Sequence, residues 1–154
     1  MRTWDEDEIE AKARRLRQAI GVDNLDWLDT RMLLNKIMGL LPGTSLLLVE
    51  DSELPEPGGR WDGDKKQLIF RASIFESANR PNPNLRARWT IVHELMHAYL
   101  GHAGVRNRSA KDSLEKLFSS KTLWIEALTD RFTAAVLAPF HRINPNLNEP
   151  NFGR

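Results

Sequence analysis

The sequence predicts an α+β fold, a single compact domain with a helical core and a small antiparallel sheet, and three observations predict it. Apolar residues recur at helical spacing in several stretches bounded by cap and stop signals. A short apolar run and a hairpin pattern occupy the middle of the chain. With 154 residues and 41% apolar content, the chain can bury one good core but not two. The domain is expected over residues 1–140, with residues 141–154, rich in Asn and Pro, as a short irregular tail.

An amphipathic helix is expected near Asp5 to Ala19, with Ile9, Ala13, Leu16 and Ile20 on one stripe. Lys12, Arg14, Arg15 and Arg17 fall largely outside that stripe and read as a solvated face. A second helix spans Asp29 to Met38, after which Gly39 and Pro42-Gly43 break the chain before an apolar strand, Ser45 to Glu50. Leu54 to Gly59 is a Pro/Gly-rich loop. Arg60-Trp61 and Gln67 to Arg71 then flank Asp62-Gly63-Asp64-Lys65-Lys66, a hairpin turn. A third helix follows the cap signals Asn82-Pro83-Asn84 and stops at Gly101, with Leu85, Trp89, Val92, Met96, Tyr99 and Leu100 on its buried face. Ser109 with Asp112 resembles a capping box that opens a short helix through Phe118. A last helix opens in Leu123 to Asp130 and runs to about Ala138, where Pro139 stops it.

The third helix carries His93-Glu94-Leu95-Met96-His97. Residues four apart sit above one another on a helix face, so both imidazoles of an HExxH segment can point at one metal ion while the Glu projects alongside as general base. A zinc ion in a hydrolase usually takes three protein ligands and keeps a fourth position for water. His102 is a poor third ligand: extended HExxH sites place a histidine six residues after the second with a glycine three residues on, and here both offsets miss. It reads instead as a polar residue just past a helix C-terminus. Glu126 is the better candidate, because its neighbours are mainly apolar and a buried carboxylate needs a cationic partner. Asp130, one turn further on, is placed to orient a ligating imidazole. The competing reading of Glu126 and Asp130 is a solvated acidic pair beside Arg131, and the HExxH segment turns the choice toward ligation.

These residues resemble the ImmA/IrrE-type metallo-endopeptidases, a gluzincin-like family. The resemblance covers roughly Gly58 to Pro139 and is strongest over Arg86-Ala87-Arg88-Trp89-Thr90-Ile91-Val92-His93-Glu94-Leu95-Met96-His97, followed by Ile125-Glu126 and Phe132 to Pro139. The family writes the first block R-x-R-F-T-x-A-H-E-L-G-H and the second as an acidic residue followed by F-A-A-x-L-L-M-P. Trp89 stands for Phe, Met96 for Gly and Ala138 for Met. The resemblance implies a zincin-like domain in which His93, His97 and Glu126 hold Zn2+ and Glu94 is the catalytic base. It also implies site-specific cleavage of a helix-turn-helix repressor, switching on stress-response or mobile-element genes. Two rivals are a toxin-like metallopeptidase restrained by an antitoxin partner and a non-catalytic zinc-bound module that grips a regulator. Glu94 argues against the last, since a pure binder has no chemical need for the base.

Composition limits the remaining classes. Net charge is +1, so no strong field recruits nucleic acid or an anionic membrane. No segment approaches the ~20 apolar residues of a spanning helix. The absence of cysteine excludes disulfides and thiolate zinc sites, and the charged N-terminus has no signal-peptide core, so cytoplasmic residence is expected. In the expected reaction, zinc activates water and polarises the scissile carbonyl while Glu94 moves the proton. Tyr99, His102 and His141 are the available oxyanion donors. An antiparallel strand edge beside the site helix is expected to align a peptide substrate as an added strand.

Overall fold

Helix α1 (Glu6–Ala19) starts where the Glu8 N–H donates to Asp5 Oδ1 at 2.8 Å, and the acidic residues Glu6, Asp7 and Glu8 suit the positive end of the helix dipole. This element belongs to a computed structural model that describes residues 5–102 and 120–138. The expected helix from Ser109, the tail over residues 141–154 and His141 lie outside the described residues. Ile9, Ala13 and Leu16 of α1 are buried as their spacing predicts.

Arg17 corrects the expectation of a solvated basic face, because its side chain is completely buried. It donates to Val136 O at 2.7 Å, Leu25 O at 2.6 Å and Val22 O at 3.1 Å. Val136 lies in the last turn of the helix Ser120–Leu137, whose end carbonyls lack intrahelical partners, so a buried guanidinium there meets an unsatisfied need. The carbonyls hold the cation inside, and no helical-wheel pattern foretells them.

Helix α2 (Thr30–Met38) is capped by Asp29, which accepts from the Met32 N–H at 3.0 Å, and it ends at Gly39. Strand β1 (Ser45–Val49) leads through a single 3-10 turn (Asp51–Glu53) to β2 (Gly59–Asp62) and β3 (Gln67–Arg71). Asp62 Oδ1 closes the hairpin by accepting from the Asp64 and Lys65 N–H groups, both at 3.1 Å. The sheet order is β1-β3-β2, with β3 antiparallel to β2 and parallel to β1. The sheet is therefore mixed, which corrects the expected antiparallel one. Local pattern specifies the β2–β3 hairpin, but the neighbour of β1 is chosen by what covers the apolar face of β3.

Helix α3 (Ala72–Ala78), which the sequence reading did not anticipate, follows β3 directly. Helix α4 (Leu85–Tyr99) is capped by Asn84 Oδ1, which accepts from the Ala87 N–H at 2.9 Å. Val92 and Met96 are buried and Tyr99 and Leu100 pack on the core as expected, joined by Ala87, Ile91 and Leu95, whereas Leu85 is 68% exposed and Trp89 36% exposed, so the expected stripe fails at its N-terminal end. Helix α5 (Ser120–Leu137) begins earlier than expected and places Glu126 in its second turn. Leu68 and Phe70 of β3, Ile91, Leu95 and Met96 of α4, and Phe132 and Val136 of α5 form one core with α1. Gly59 sits where a Cβ would lie 2.7 Å from Thr90 Cγ2, so only glycine lets β2 lie directly on α4. The fold is thus α+β, and no described helix is long and apolar enough to cross a membrane.

Candidate metal centre

Helix α4 presents His93 and His97 one turn apart, with rings nearly perpendicular at 84° and Nε2 atoms 3.1 Å from each other. Helix α5 crosses at this point and supplies Glu126, Thr129 and Asp130, whose i, i+3, i+4 spacing puts them on one face. Glu126 Oε2 lies 3.0 Å from His93 Nε2, and Glu126 Oε1 lies 3.0 Å from His97 Nε2. Tetrahedral zinc with donor bonds of ~2.0–2.1 Å sets neighbouring donors roughly 3.3 Å apart. The three separations fall slightly inside that value, so this donor set fits a small divalent ion.

Glu94 is the other carboxylate here. The ligand atoms of His93, Glu94 and His97 all lie within 4.8 Å of one another, and this group could hold a metal ion. Glu94 is nevertheless set back, with Oε2 3.9 Å from His93 Nε2 and Oε1 accepting from the Trp61 N–H at 3.0 Å. Spacing therefore favours Glu126 over Glu94 as the carboxylate nearest both imidazoles. Burial pushes the Glu94 carboxyl up against the pull of His97 and His93. For Glu126, burial also favours the neutral acid, but hydrogen bonds from His93 and His97 overcome it and hold the group far below the usual carboxylate range. Glu126 is about half exposed (47%), short of the deep burial its apolar neighbours suggest.

No protein-family model, curated protein or solved structure matches this chain. The chemistry of the site must be read from its own geometry.

Each imidazole has a second partner on its far nitrogen. Asp130 Oδ1 stands 2.9 Å from His93 Nδ1, yet that buried nitrogen has no aligned hydrogen bond, so the contact is an oblique ion pair from a carboxylate that is 55% exposed. Burial lowers His93, but the hydrogen bond to Glu126 and the charges of Glu94, Glu126 and Asp130 raise it overall. His97 Nδ1 lies 2.8 Å from His102 Nδ1. Burial and then the neighbouring His97 lower the His102 imidazole to about 4, so at neutral pH it is uncharged and able to accept the His97 Nδ1–H. This corrects the reading of His102 as an ordinary polar residue beyond the helix. Thr129 Oγ1, whose proton goes to Ile125 O at 2.7 Å, is 3.4 Å from the same His97 nitrogen.

The path of the backbone explains His102. Leu100 is the C-cap of α4, Gly101 follows with φ 75, and the N–H groups of Gly101 and His102 donate to Ala98 O and His97 O at 3.2 and 3.0 Å. This is a Schellman ending, which folds the second residue past the cap back over the residue three before it. Those two residues are His102 and His97. Trp61 Nε1–H donates to His102 O at 2.8 Å and pins the returning chain to β2. Tyr99 instead stacks on Phe132, with centroids 6.1 Å apart.

The histidines lie in a cleft of about 1150 Å³, walled by Leu54, Pro55, Trp89 and Ile125 together with Arg60 and Arg86. One wall is the outer edge of β2. Arg71 N–H donates to Gly58 O at 2.9 Å, and in an antiparallel ladder hydrogen-bonded pairs alternate. Gly58 and Arg60 therefore bond β3, while Gly59 and Trp61 face away from it. The Trp61 N–H meets Glu94, leaving Gly59 N–H, Gly59 C=O and Trp61 C=O aimed outward from the sheet.

Proposed function

We propose that this protein is a zinc-dependent metallo-endopeptidase. The observation that carries the reading is the convergence of His93, His97 and Glu126 to 3.0–3.1 Å separations beside the buried carboxylate of Glu94. His93, His97 and Glu126 are the residues that would hold the ion. Zinc bound by them would lower the pKa of water toward ~7 and polarise the scissile carbonyl.

The chain's own residues supply the rest. The Trp61 N–H fixes Glu94 through Oε1, which leaves Oε2 turned to the imidazoles as the atom that takes the water proton. Its raised pKa makes Glu94 a stronger base than a solvated carboxylate, and a protonated Glu94 can then pass the proton to the leaving amine. The outward groups of Gly59 and Trp61 pair an extended peptide along β2, which brings one carbonyl over the cleft floor. The apolar walls Trp89, Leu54 and Ile125 receive substrate side chains.

The resemblance to ImmA/IrrE-type enzymes supports a regulatory substrate, a helix-turn-helix repressor cut at one site in the cytoplasm. Glu94→Gln tests the reading, because the amide keeps the shape and the Trp61 hydrogen bond but cannot accept the proton. It should bind as much zinc as the unmodified chain and hydrolyse nothing. The assay offers both proteins a panel of purified helix-turn-helix repressors and follows the appearance of two discrete fragments. Equal hydrolysis by both proteins would overturn the assignment of Glu94, and failure of the unmodified chain to retain zinc would overturn the metal reading.

A further inference from the structure

The opposite edge of the sheet is built unusually for an edge. Among the described residues β1 pairs only with β3, and its sequence Ser-Leu-Leu-Leu-Val contains no charge, proline or glycine. Charge and proline are among the devices that normally keep an edge from pairing with another chain. Leu47 and Leu48 point to opposite faces and are 42% and 43% exposed. Backbone parity tells which groups are free. Ser45 N–H donates to Lys66 O at 3.0 Å, and alternate residues of a strand bond the same neighbour. Ser45, Leu47 and Val49 thus bond β3, while Leu46 and Leu48 aim their N–H and C=O groups outward.

We propose that two copies of this chain pair through this edge, antiparallel and two-fold about Leu47, forming a continuous six-stranded sheet. In that register Leu46 of one copy faces Leu48 of the other, and both are outward-facing residues. Each such pair exchanges two hydrogen bonds, and the two-fold axis makes four. Leu47 meets Leu47 of the second copy as a non-hydrogen-bonded pair, the closer of the two kinds.

Charge selects a second copy over an unrelated strand. Exposed Lys65 and Lys66, against one exposed acid, Asp64, flank the start of β1 through the Ser45↔Gln67 pairing, and exposed Glu50, Asp51 and Glu53 follow its end. Antiparallel pairing sets the basic end of each copy against the acidic end of the other, whereas parallel pairing would set like charges together. Because β1 and β2 are opposite edges, both clefts stay open in the dimer.

The absence of cysteine makes the register directly testable. Leu47→Cys puts two thiols across the axis at a Cα separation of about 4.5 Å, within the ~4.4–6.8 Å that a disulfide spans. Leu48→Cys puts them on a diagonal of roughly 8–9 Å, beyond that reach. Mild oxidation should therefore yield a covalent dimer from Leu47→Cys and not from Leu48→Cys. Sedimentation equilibrium of the full unmodified chain should show a dimer, weakened at least tenfold by Leu48→Lys and unaffected by Leu85→Lys, a control at another exposed leucine. A monomer at concentrations up to about 100 μM, equal crosslinking of both cysteine variants, or a dimer indifferent to Leu48→Lys would each overturn the proposal.

Discussion

Removing His102 should weaken metal binding more than removing Asp130. In the proposed zinc site the two residues would do the same job for different imidazoles, holding the far ring nitrogen so that Nε2 can offer its lone pair to an ion. Their settings differ. His102 Nδ1 is 2.8 Å from His97 Nδ1, inside the cleft and anchored by the Trp61 indole through its own carbonyl. Asp130 is 55% exposed and meets His93 obliquely, so solvent screens the pair. Loss of a partner behind a ligating histidine costs about tenfold to a hundredfold in affinity, or ~1.4–2.7 kcal/mol. His102→Ala should fall toward the upper end, because among the described residues only Thr129 Oγ1, at 3.4 Å, remains near His97 Nδ1. Asp130→Ala should lose no more than about tenfold. Competition against a chromophoric zinc chelator reads both values, and thermal melts of the metal-free proteins confirm that each variant folds. His102→Asn, which keeps an acceptor, should recover part of the loss. Unchanged affinity in His102→Ala, or a larger loss in Asp130→Ala, would refute the reasoning.

Three further outcomes follow from the same geometry. Glu126→Ala should abolish stoichiometric zinc in metal analysis of the purified protein, and full occupancy would move the carboxylate role to Glu94 or Asp130. Zinc affinity should fall with acid by about one log unit per pH unit for each proton displaced; because the His93 pKa is raised, its proton competes at higher pH than an ordinary imidazole proton. A flat affinity profile from about pH 8 to 6, the range that brackets an imidazole, would contradict this. Gly59→Ala should destabilise the fold by about 1–3 kcal/mol in a denaturant melt, since the new Cβ would lie 2.7 Å from Thr90 Cγ2 and 3.0 Å from the Phe70 ring. A variant as stable as the parent would show that β2 can move off α4.

The two candidate histidine ligands were legible in the sequence because their spacing is a property of one helix. His93 and His97 must share a face of any helix that holds them, and the caps Asn84 and Gly101 mark that helix. Glu126 and Asp130 could be nominated, since they too share a face, but which of them meets which imidazole depends on how α5 crosses α4. The role of His102 was written in the sequence and misread. Scored as a third ligand it misses by one position, whereas scored as the second residue after a Schellman cap it must return to His97.

Local patterns, with periods of two or four residues and cap chemistry at their ends, determined the helices α1, α2 and α4, the β2–β3 hairpin and the pair of histidines. Such patterns bind residues close in the chain, so they survive without knowledge of the fold. The parallel neighbour of β1, the burial of Arg17 against Val136 O and the Trp61 N–H on Glu94 were decided by tertiary structure alone. Each joins groups far apart in sequence through backbone atoms, and every residue carries the same N–H and C=O. Side-chain identity cannot announce such a contact; only packing of the core brings a particular donor to a particular acceptor.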